Sequence, residues 1–373
     1  MRIRILIIGA GPGGLVAARS LAAAGHDVDI LERAPELRTT GGSVTLWPGS
    51  IRILRELGAD PTDLGSRLTR LESWSPEGRP LMTIDLLRAE RRHGAPSVHL
   101  ARRDLVERLA DGVPVRYGSE VVAVDPDRAE VTLADGTTLA GDILVGADGR
   151  NSPVRRALGK EDPAIRTEWV TWQTFADVPR ELVDTGRSLV ITGEEGMMGL
   201  TPAGPGRVLN WFEVRTAPGR PLWLDEADPI GRLKERFGHW KGLVPEVLST
   251  VTEMEPFAHW RHRVPAVWGR GPTTLLGDSA HTMPPSLAQG TNQAVEDAWL
   301  LTRSLGDLRG YERTRSRQLR LPARLAGDEI ANQPGRKMPG GPMSAVYSWW
   351  IRKSSGYLSA RSTRTPRPGG SGR

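Results

Sequence analysis

The sequence has no cysteine and few phenylalanine or tyrosine residues, and these shortages exclude several kinds of chemistry. Because none of the 373 residues is cysteine, the chain has no disulfides, no thiolate nucleophile and no cysteine-ligated metal site. Tryptophan supplies most of the aromatic surface, with twelve Trp against four Phe and four Tyr. No apolar run reaches the roughly 18 residues that a membrane-spanning helix needs. We therefore predict a cytoplasmic protein with no resident metal and no membrane partner.

Acidic residues are missing from the C-terminal part of the chain. Residues 331–373 contain eight lysine and arginine residues and no acid, whereas the formal net charge of the whole chain is +6. Residues 1–330 therefore hold 42 basic and 44 acidic residues. A nearly neutral body argues against a nucleic-acid partner. We interpret 331–373 as a basic C-terminal tail, in which Gly340-Gly341-Pro342 and Thr365–Arg373 are loop or disordered sequence.

The N-terminal pattern predicts a strand, a glycine-rich turn and a helix. Ile3–Ile8 is apolar and suits a central strand, and Leu15–Ala24 has helical character. Between them, Gly9, Gly11 and Gly14 fit the pattern G-x-G-x-x-G. These glycines permit a tight turn, the close approach of a pyrophosphate and close packing of the helix on the strand. The N-terminus is thus a predicted dinucleotide site rather than a signal peptide.

An acidic residue ends the next predicted strand. Val28–Leu31 is apolar at alternate positions, and Glu32 follows it directly. A carboxylate at this position accepts hydrogen bonds from a ribose diol and repels a 2′-phosphate. The nucleotide is therefore predicted to be FAD or NAD rather than NADP.

A second candidate anion site lies late in the chain. Residues 274–276 read as a buried strand, Gly277-Asp278 as an acidic turn, and 282–290 as a loop rich in Pro and Gly that leads into a helix. Backbone N–H groups at a helix start stabilise negative charge. Two such sites far apart in the sequence suggest one long cofactor that is bound at two points.

Residues 142–155 form a third motif, a strand that ends in a polar turn before a helix. Together, the motifs resemble the three fingerprints of class A FAD-dependent monooxygenases, the p-hydroxybenzoate hydroxylase-like family that includes tetracycline-inactivating relatives. The residues that carry this resemblance are Gly9-x-Gly11-x-x-Gly14 with Glu32-Arg33, Arg102-x-Asp104-Leu105, Asp148-Gly149-x-x-Ser152-x-x-Arg155, and Gly277-Asp278. Their order and spacing span roughly residues 1–330.

The resemblance implies an α/β fold with a discontinuous Rossmann-like FAD-binding domain of the glutathione-reductase type. An antiparallel sheet inserted into it would form the substrate domain, and a C-terminal helix would follow. The expected FAD-binding domain comprises residues 1–74, 99–165 and 258–330. The expected substrate domain comprises residues 75–98 and 166–257, and 331–373 is the tail.

The resemblance also assigns residues to the parts of the cofactor. For the adenosine ribose and pyrophosphate it assigns Gly9, Gly11, Gly14 and Glu32. For the ribityl and phosphate chain it assigns Arg33, Arg102 and Asp278. For the flavin pyrimidine ring it assigns backbone groups of Gly290, Thr291 and Asn292. For FAD placement and the approach of NADPH or NADH it assigns Asp148 and Arg155.

Three positions near these motifs have a second interpretation. Asp148 could simply cap the end of its strand. His281 is expected to pack against the cofactor loop rather than to perform acid–base chemistry. Ala288 stands where the family usually has glycine, and its methyl group disfavours a positive φ. We expect that change to affect the mobility of the flavin, not its binding.

The central part of the chain predicts an antiparallel sheet laid over the flavin. Its expected strands are Glu168–Thr174, Ser188–Ile191, Gly196–Leu200 and Val208–Val214, with a partner segment near Leu81–His99. Tryptophan faces can sandwich a flat apolar substrate, although filling the core is the usual role of a buried aromatic residue. The candidate pocket residues are Trp47, Trp172, Trp211, Pro284 and Pro285.

As the resemblance implies, the enzyme uses NAD(P)H and O₂ to hydroxylate an aromatic or polyketide-like small molecule through a flavin C4a-hydroperoxide. Two alternatives stay open: a Baeyer–Villiger or epoxidising flavoenzyme on the same scaffold, and a redox-silent FAD-binding cyclase. A second G-x-G-x-x-G is absent, which disfavours reductases with two dinucleotide sites. The Trp-x-Trp-x-Ile-Pro signature of flavin halogenases is absent as well. The sequence leaves the substrate, the choice of NADPH or NADH and the oligomeric state open.

Overall fold

The structure, a computed structural model, describes residues 2–159, 163–176, 186–216, 228–328 and 339–362. Its strands are β1 (Arg4–Ile8), β2 (Asp27–Leu31), β3 (Ser43–Leu46), β4 (Ser66–Leu68), β5 (Arg70–Trp74), β6 (Pro80–Asp85), β7 (Ser97–Ala101), β8 (Val115–Arg116), β9 (Val121–Asp125), β10 (Glu130–Leu133), β11 (Thr138–Ala140), β12 (Ile143–Gly146), β13 (Ile165–Ala176), β14 (Arg187–Gly193), β15 (Gly196–Pro202), β16 (Val208–Arg215), β17 (Glu255–Arg261) and β18 (Thr273–Leu275).

The α-helices among the described residues are α1 (Pro12–Ala23), α2 (Pro48–Glu56), α3 (Leu86–His93), α4 (Arg102–Ala110), α5 (Pro153–Ala157), α6 (Pro229–Phe237), α7 (Val244–Thr250), α8 (Asp278–His281), α9 (Gly290–Thr302), α10 (Leu308–Gly327), α11 (Gly340–Lys353) and α12 (Gly356–Ser362). A 3₁₀ turn at Pro285–Leu287 precedes α9. No helix in this part of the chain is long and apolar enough to cross a membrane.

The first layer is a five-stranded parallel sheet in the order β18-β12-β1-β2-β8. Its central strand β1 is buried from Ile5 to Ile8, as expected for a parallel strand that is covered on both faces. Ile5 pairs with Ile143 of β12 on one side and with Val28 of β2 on the other. The predicted Rossmann-like layer is therefore confirmed, and all three sequence motifs follow strands of this one sheet.

The glycine-rich turn lets α1 pack closely against the sheet. Gly9 has a φ of +104°, a backbone conformation that side chains disfavour. A β-carbon at Gly14 would overlap the carbonyl oxygen of Gly9, and one at Gly9 would overlap that of Ala147. A β-carbon at Gly13 would press on Leu276, next to the late loop. The turn thus brings the first and last motifs into contact.

The second layer is a seven-stranded sheet in the order β17-β13-β16-β15-β14-β5-β6, and only the β14–β5 pair is parallel. One face forms a separate core in which Trp172 and Phe212 pack with Phe237 of α6 and Val247 of α7. The opposite face is turned toward the FAD-binding layer, because a β-carbon at Gly42 would overlap the side chain of Gln173. The predicted inserted sheet is confirmed, and it is larger than the sequence pattern indicated.

The domain boundaries differ from those expected. The seven-stranded sheet already begins at Arg70 and continues to Arg261, so it extends beyond the expected ranges 75–98 and 166–257 at both ends. Conversely, Ser97 and Val98 belong to β7, which pairs with β3 and β4 in a small sheet of its own. These pairings join segments that are far apart in the chain, and no local pattern reveals them.

The expected loop at Gly340-Gly341-Pro342 is wrong, since these residues form the first turn of α11. Proline is tolerated there because the first N–H groups of a helix have no intrahelical partner. Tyr347 of α11 packs edge-on against Trp47, with ring centroids 5.8 Å apart. In α12, Tyr357 packs against Trp299 of α9 at 5.2 Å. Most of the described tail is thus part of the body, and Thr365–Arg373 lies outside the described residues.

This packing predicts that Tyr357 stabilises the whole fold. Its side chain is 1% exposed, and its hydroxyl donates a hydrogen bond to Glu56. Replacing Tyr357 with alanine should lower the free energy of unfolding by about 3–5 kcal/mol, measured by urea denaturation. The matched control is Trp349→Ala, because Trp349 of α11 is 51% exposed. Equal effects of the two substitutions would show that α12 is not docked.

Candidate functional site

The start of α1 is an open site for an anion. Gly11 is the N-cap of α1 and no side chain caps the helix. A β-carbon at Gly11 would meet no atom within 4 Å, so free space lies in front of the turn. Glu32 reaches this edge from β2, where its carboxylate accepts hydrogen bonds from Ala10 N and Ala34 N, each at 2.9 Å. The turn thus offers backbone donors beside a carboxylate that is held in place.

Basic side chains lie along the next part of the site. Arg102 begins α4, and its Nη1 donates to the carbonyl oxygen of Thr40 at 2.7 Å. Burial and the nearby Arg38 lower the pKa of Arg102, whereas Asp278 raises it. This mutual influence shows that Arg102, from the middle of the chain, lies near the acidic turn of the late motif. Arg33 is exposed, one residue beyond Glu32.

A buried carboxylate holds the late motif in place. Asp297 of α9 accepts hydrogen bonds from Gly277 N at 2.8 Å, from His281 Nε2 at 2.6 Å and from Arg315 Nε at 2.5 Å. Asp297 and His281 are 0% exposed, and Arg315 is 1% exposed. Burial alone would raise the pKa of Asp297, but the charges of His281 and Arg315 outweigh it and the pKa is lowered. The carboxylate therefore stays ionised inside the protein.

The same network ties three helices together. Arg315 of α10 also donates to the Gln293 side chain at 2.8 Å and to that of Gln318 at 2.7 Å. Gln293 of α9 donates to the carbonyl oxygen of Ser354, just before α12. The turn at Gly277, the helix α9 and the C-terminal helices therefore keep a common geometry.

Asp278 lines an open cleft. Its side chain is exposed to solvent, yet burial raises its pKa against the opposing charges of His281, Arg102 and Arg150. Protein atoms must therefore crowd around a carboxylate that solvent still reaches. A deep cleft that is open at one side accounts for both observations.

The loop before α9 and the side chain of Asn292 determine where this helix begins. Ala288 has a φ of +49°, and the side chain of Gln289, the N-cap, accepts from Gln293 Nε2 but does not cap the helix backbone. The Asn292 side chain accepts from Trp47 N at 2.9 Å and donates to the carbonyl oxygens of Thr45 and Ala288, each at 2.7 Å. Asn292 thus fastens the helix start to β3, while the backbone of Gly290 and Thr291 is left without a side-chain cap.

Two side chains of the third motif, Asp148 and Arg155, fix the start of α5 and join it to α8. Asp148 accepts from Val154 N at 3.1 Å at the start of α5, and burial raises its pKa to about 6 despite hydrogen bonds from Ser152 and Val154. Arg155 is 2% exposed and donates to the carbonyl oxygens of Ser279 and Ala280, both at 3.1 Å. Arg155 therefore joins α5 to α8, and its burial argues against its expected part in the approach of NAD(P)H.

The tryptophan candidates separate into core and cleft. Trp172 is 2% exposed in the core beneath α6 and α7, so its expected place in the substrate pocket is wrong. Trp211 is half-buried on the opposite face, where it pairs with Gln173 and covers Gly199. Trp47 is 7% exposed and packs in the main core beside Tyr347. Trp172 pairs with Phe212, the neighbour of Trp211 on β16. Because successive side chains of a strand point to opposite faces, Trp172 and Trp211 lie on opposite faces of the sheet.

The two prolines of the late loop have different surroundings. Pro284 is buried and Pro285, which begins the 3₁₀ turn, is exposed. The buried network of Asp297, Arg315 and Gln293 that holds the late motif was not identified from the sequence. The available signal was the adjacent acids Glu296 and Asp297 within the apolar face of α9, because buried acids are rare unless they are paired.

The combined site fits an elongated anionic cofactor. It offers two uncapped helix starts, those of α1 and α9, with Arg102 and Asp278 in the same region. Helix starts stabilise phosphates and anionic rings. The free space before Gly11 and the open cleft at Asp278 leave room for such a ligand.

A family model described as an FAD binding domain matches residues 2–317. The chain belongs to this family. Similar proteins within it include a 3-amino-4-hydroxybenzoate 2-monooxygenase of Streptomyces platensis, 32% identical over 369 residues that cover 92% of this chain and 91% of the relative. The aurachin C monooxygenase/isomerase of Stigmatella aurantiaca is 32% identical over 333 residues, which cover 87% and 83% of the two chains.

A solved structure of Klebsiella pneumoniae HpxO with FAD and uric acid has the same fold, with a TM-score of 0.81 and 23% identity. The match covers 96% of this chain and 95% of that one. As a member of the FAD-binding domain family with these relatives, the protein is an FAD-dependent monooxygenase, and the expected cofactor and enzyme class are confirmed.

Asp297 should contribute strongly to the stability of the fold. The substitution Asp297→Asn leaves Arg315 buried without its countercharge, and breaking a buried ion pair in this way costs about 3–5 kcal/mol. Urea denaturation should therefore show a large loss of stability. The control Asp27→Asn breaks only an exposed pair with Arg2 and should change little. A small effect at Asp297 would contradict the role assigned to the network.

Ala288 should be a site where glycine stabilises the protein. Its left-handed conformation costs a residue with a β-carbon roughly 1–2 kcal/mol, which Ala288→Gly should recover as a higher free energy of unfolding. Ala323→Gly, within α10, is the control and should have the opposite sign, with a loss of about 1 kcal/mol. A loss of stability in both variants would contradict the strain at Ala288.

Proposed function

We propose that this FAD-dependent monooxygenase hydroxylates a planar aromatic small molecule, with NADPH or NADH as the reductant and O₂ as the second substrate. The observation that carries the proposal is the face of the seven-stranded sheet that bears Trp211 and Gln173 and is turned toward the FAD-binding layer. The names of relatives refer to ring compounds, namely 3-amino-4-hydroxybenzoate, 6-hydroxynicotinate and urate. Because NAD(P)H is an intracellular metabolite, a cytoplasmic location belongs to the proposal.

On the adenosine side, the proposed contacts are those of the first motif. Glu32 would accept hydrogen bonds from the ribose, since its carboxylate is already oriented by two backbone N–H groups. The turn from Gly9 to Gly14 would bind the pyrophosphate, and the free space in front of Gly11 supports this assignment. Only glycine permits the approach of α1 to β1 that aims the helix start at this position.

The middle of the cofactor would lie among the charged residues of the cleft. Arg33 and Arg102 would face its phosphates, and Asp278 would accept hydrogen bonds from the ribityl hydroxyls. The nearness of Arg102 to Asp278 supports this arrangement. Because Thr40 and Gly42 hold Arg102 in place, little side-chain entropy would be lost when it binds a phosphate.

The start of α9 would face the flavin ring. Backbone groups of Gly290, Thr291 and Asn292 would approach its pyrimidine side, where a helix start stabilises negative charge. FAD, when bound, supplies the redox chemistry and the activation of O₂, so this chain's residues need only bind, orient and exclude water. The side chain of Asn292 serves the site indirectly, because its three hydrogen bonds fix where α9 begins.

The substrate would bind between the cofactor and the seven-stranded sheet. Trp211 would offer a flat apolar surface, and Gln173 on the adjacent strand would offer an amide for a polar ring substituent. Pro285, exposed in the late loop, is the further candidate for the pocket wall, with Trp47 and Pro284 behind it in the core. Asp148 remains the proposed residue for the approach of NAD(P)H.

Purified FAD-loaded enzyme offers a direct test with 3-amino-4-hydroxybenzoate and related planar phenols. We expect the substrate to stimulate NAD(P)H oxidation and O₂ uptake together, with a product that carries one added oxygen on the ring by mass spectrometry. Ring opening, ring expansion or an epoxide would instead favour the Baeyer–Villiger or epoxidising alternative. NAD(P)H oxidation that no ring compound stimulates would contradict the proposal.

Trp211 and Trp172 form a matched pair for this test. Trp211→Leu should raise KM by about tenfold, which corresponds to the loss of about 1.4 kcal/mol of binding energy, and should leave FAD affinity unchanged. Trp172→Phe changes only the distant core and should leave KM as it is. An unchanged KM in the Trp211 variant would remove this face from the substrate site.

A further inference from the structure

A cavity lies on the surface between α10 and the two C-terminal helices, among residues that none of the cofactor or substrate assignments uses. It has a volume of ≈ 340 Å³ and is bounded by Arg317 and Pro322 of α10, by Trp350 and Lys353 of α11 and by Gly356 of α12. Small-molecule sites in proteins begin at about this size, roughly 300 Å³. The volume therefore suffices for one small ring compound.

The charged side chains that line the cavity are all positive. Arg317 and Lys353 both line it, and no acidic residue does. Within the described ranges neither cation forms an ion pair, whereas most other arginines of α10 are paired with acids, for example Arg315 with Asp297 and Arg309 with Glu312. Two cations on one small cavity repel each other unless an anion lies between them. Among the residues that the structure describes, none that lines the cavity supplies that anion.

The remaining polar groups of the cavity also favour an acceptor as the ligand. Gln318 uses its side-chain oxygen to accept from Arg315, so its NH₂ group is the end that is left to donate. Ser355 is occupied as a donor to Glu296, and Ser359 donates to the carbonyl oxygen of Arg352. Arg317 Nε donates to the carbonyl oxygen of Arg313, which leaves the charge of Arg317 uncompensated. A carboxylate complements the charges of Arg317 and Lys353 and can accept from Gln318, whereas a neutral group complements neither charge.

The apolar walls of the cavity indicate the chemistry of the uncharged part of the ligand. Trp350 is half-buried, Leu321 is 39% exposed and Pro322 is buried, so the cavity has flat apolar sides. An indole face binds planar rings and also favours nearby cations. The residues after Ser362 contain arginine and no acid, so the side chains of the chain's own C-terminus do not complement this charge.

We propose that this cavity, between α10 and α11–α12, is a binding site for an aromatic carboxylate, separate from the site of hydroxylation. The ring would lie against Trp350, Leu321 and Pro322, and the carboxylate would lie between Arg317 and Lys353. The proposal does not depend on which compound the enzyme hydroxylates.

The test uses the FAD-loaded enzyme and a pair of probes that differ in charge, 2-naphthoate and 2-naphthamide. Binding is followed by quenching of Trp350 fluorescence, taken as the difference between the native protein and Trp350→Phe. We expect saturable quenching by naphthoate that weakens as ionic strength rises, and at least about tenfold weaker binding of naphthamide.

The double variant Arg317→Gln/Lys353→Gln should reduce naphthoate affinity by at least about tenfold as well. The control is Arg320→Gln, because Arg320 is exposed on the same helix and does not line the cavity. Substrate-stimulated NAD(P)H oxidation, if present, should be the same in all three proteins. Equal affinity for the two probes, or naphthoate binding that the double variant leaves unchanged, would overturn the proposal.

Discussion

The structure depends on one buried carboxylate, that of Asp297. It receives hydrogen bonds from a backbone N–H of the late turn, from His281 and from Arg315, and all of these groups lie inside the protein. A buried charge is tolerable only where partners replace the water it has lost. Because those partners come from α8 and α10, the ionised side chain fixes the relative positions of α8, α9 and α10.

Near that anchor, the two helix starts of the proposed cofactor site have no side-chain cap. Neither α1 nor α9 has a side-chain cap, and α2, α4, α7, α8 and α11 lack one as well. By contrast, α3, α5, α6 and α10 begin with an Asp or Ser that accepts from their own backbone. Uncapped N–H groups cost stability unless a ligand satisfies them. The rest of the fold therefore positions these starts by indirect means, through glycine packing at α1 and through the Asn292 side chain at α9.

The C-terminal helices support the same helix from the other side. Glu296, beside Asp297, accepts from Ser355 and from Tyr357 N, and Gln293 donates to Ser354. Burial raises the pKa of Glu296 even with these hydrogen bonds present. A segment that is basic and poor in motifs thus helps to position α9. Lys353 of the same segment lines the separate cavity between α10 and the C-terminal helices.

The sequence by itself determined a dinucleotide site, the strand–turn–helix motifs and the strands of a second sheet, because glycine spacing and alternation over a few neighbouring residues indicate each of them. The choice of FAD and the insertion of the second sheet came from the resemblance of the motifs to those of a known family. The sequence could not determine that Trp172 fills a core while Trp211 lies on the opposite face of the sheet, that Arg155 is buried, or that residues 340–362 fold back onto β6, α3 and α9. Those features arise from pairings between residues far apart in the chain. Tertiary structure alone decided them, because burial is a property of what packs on a residue and not of the residue itself.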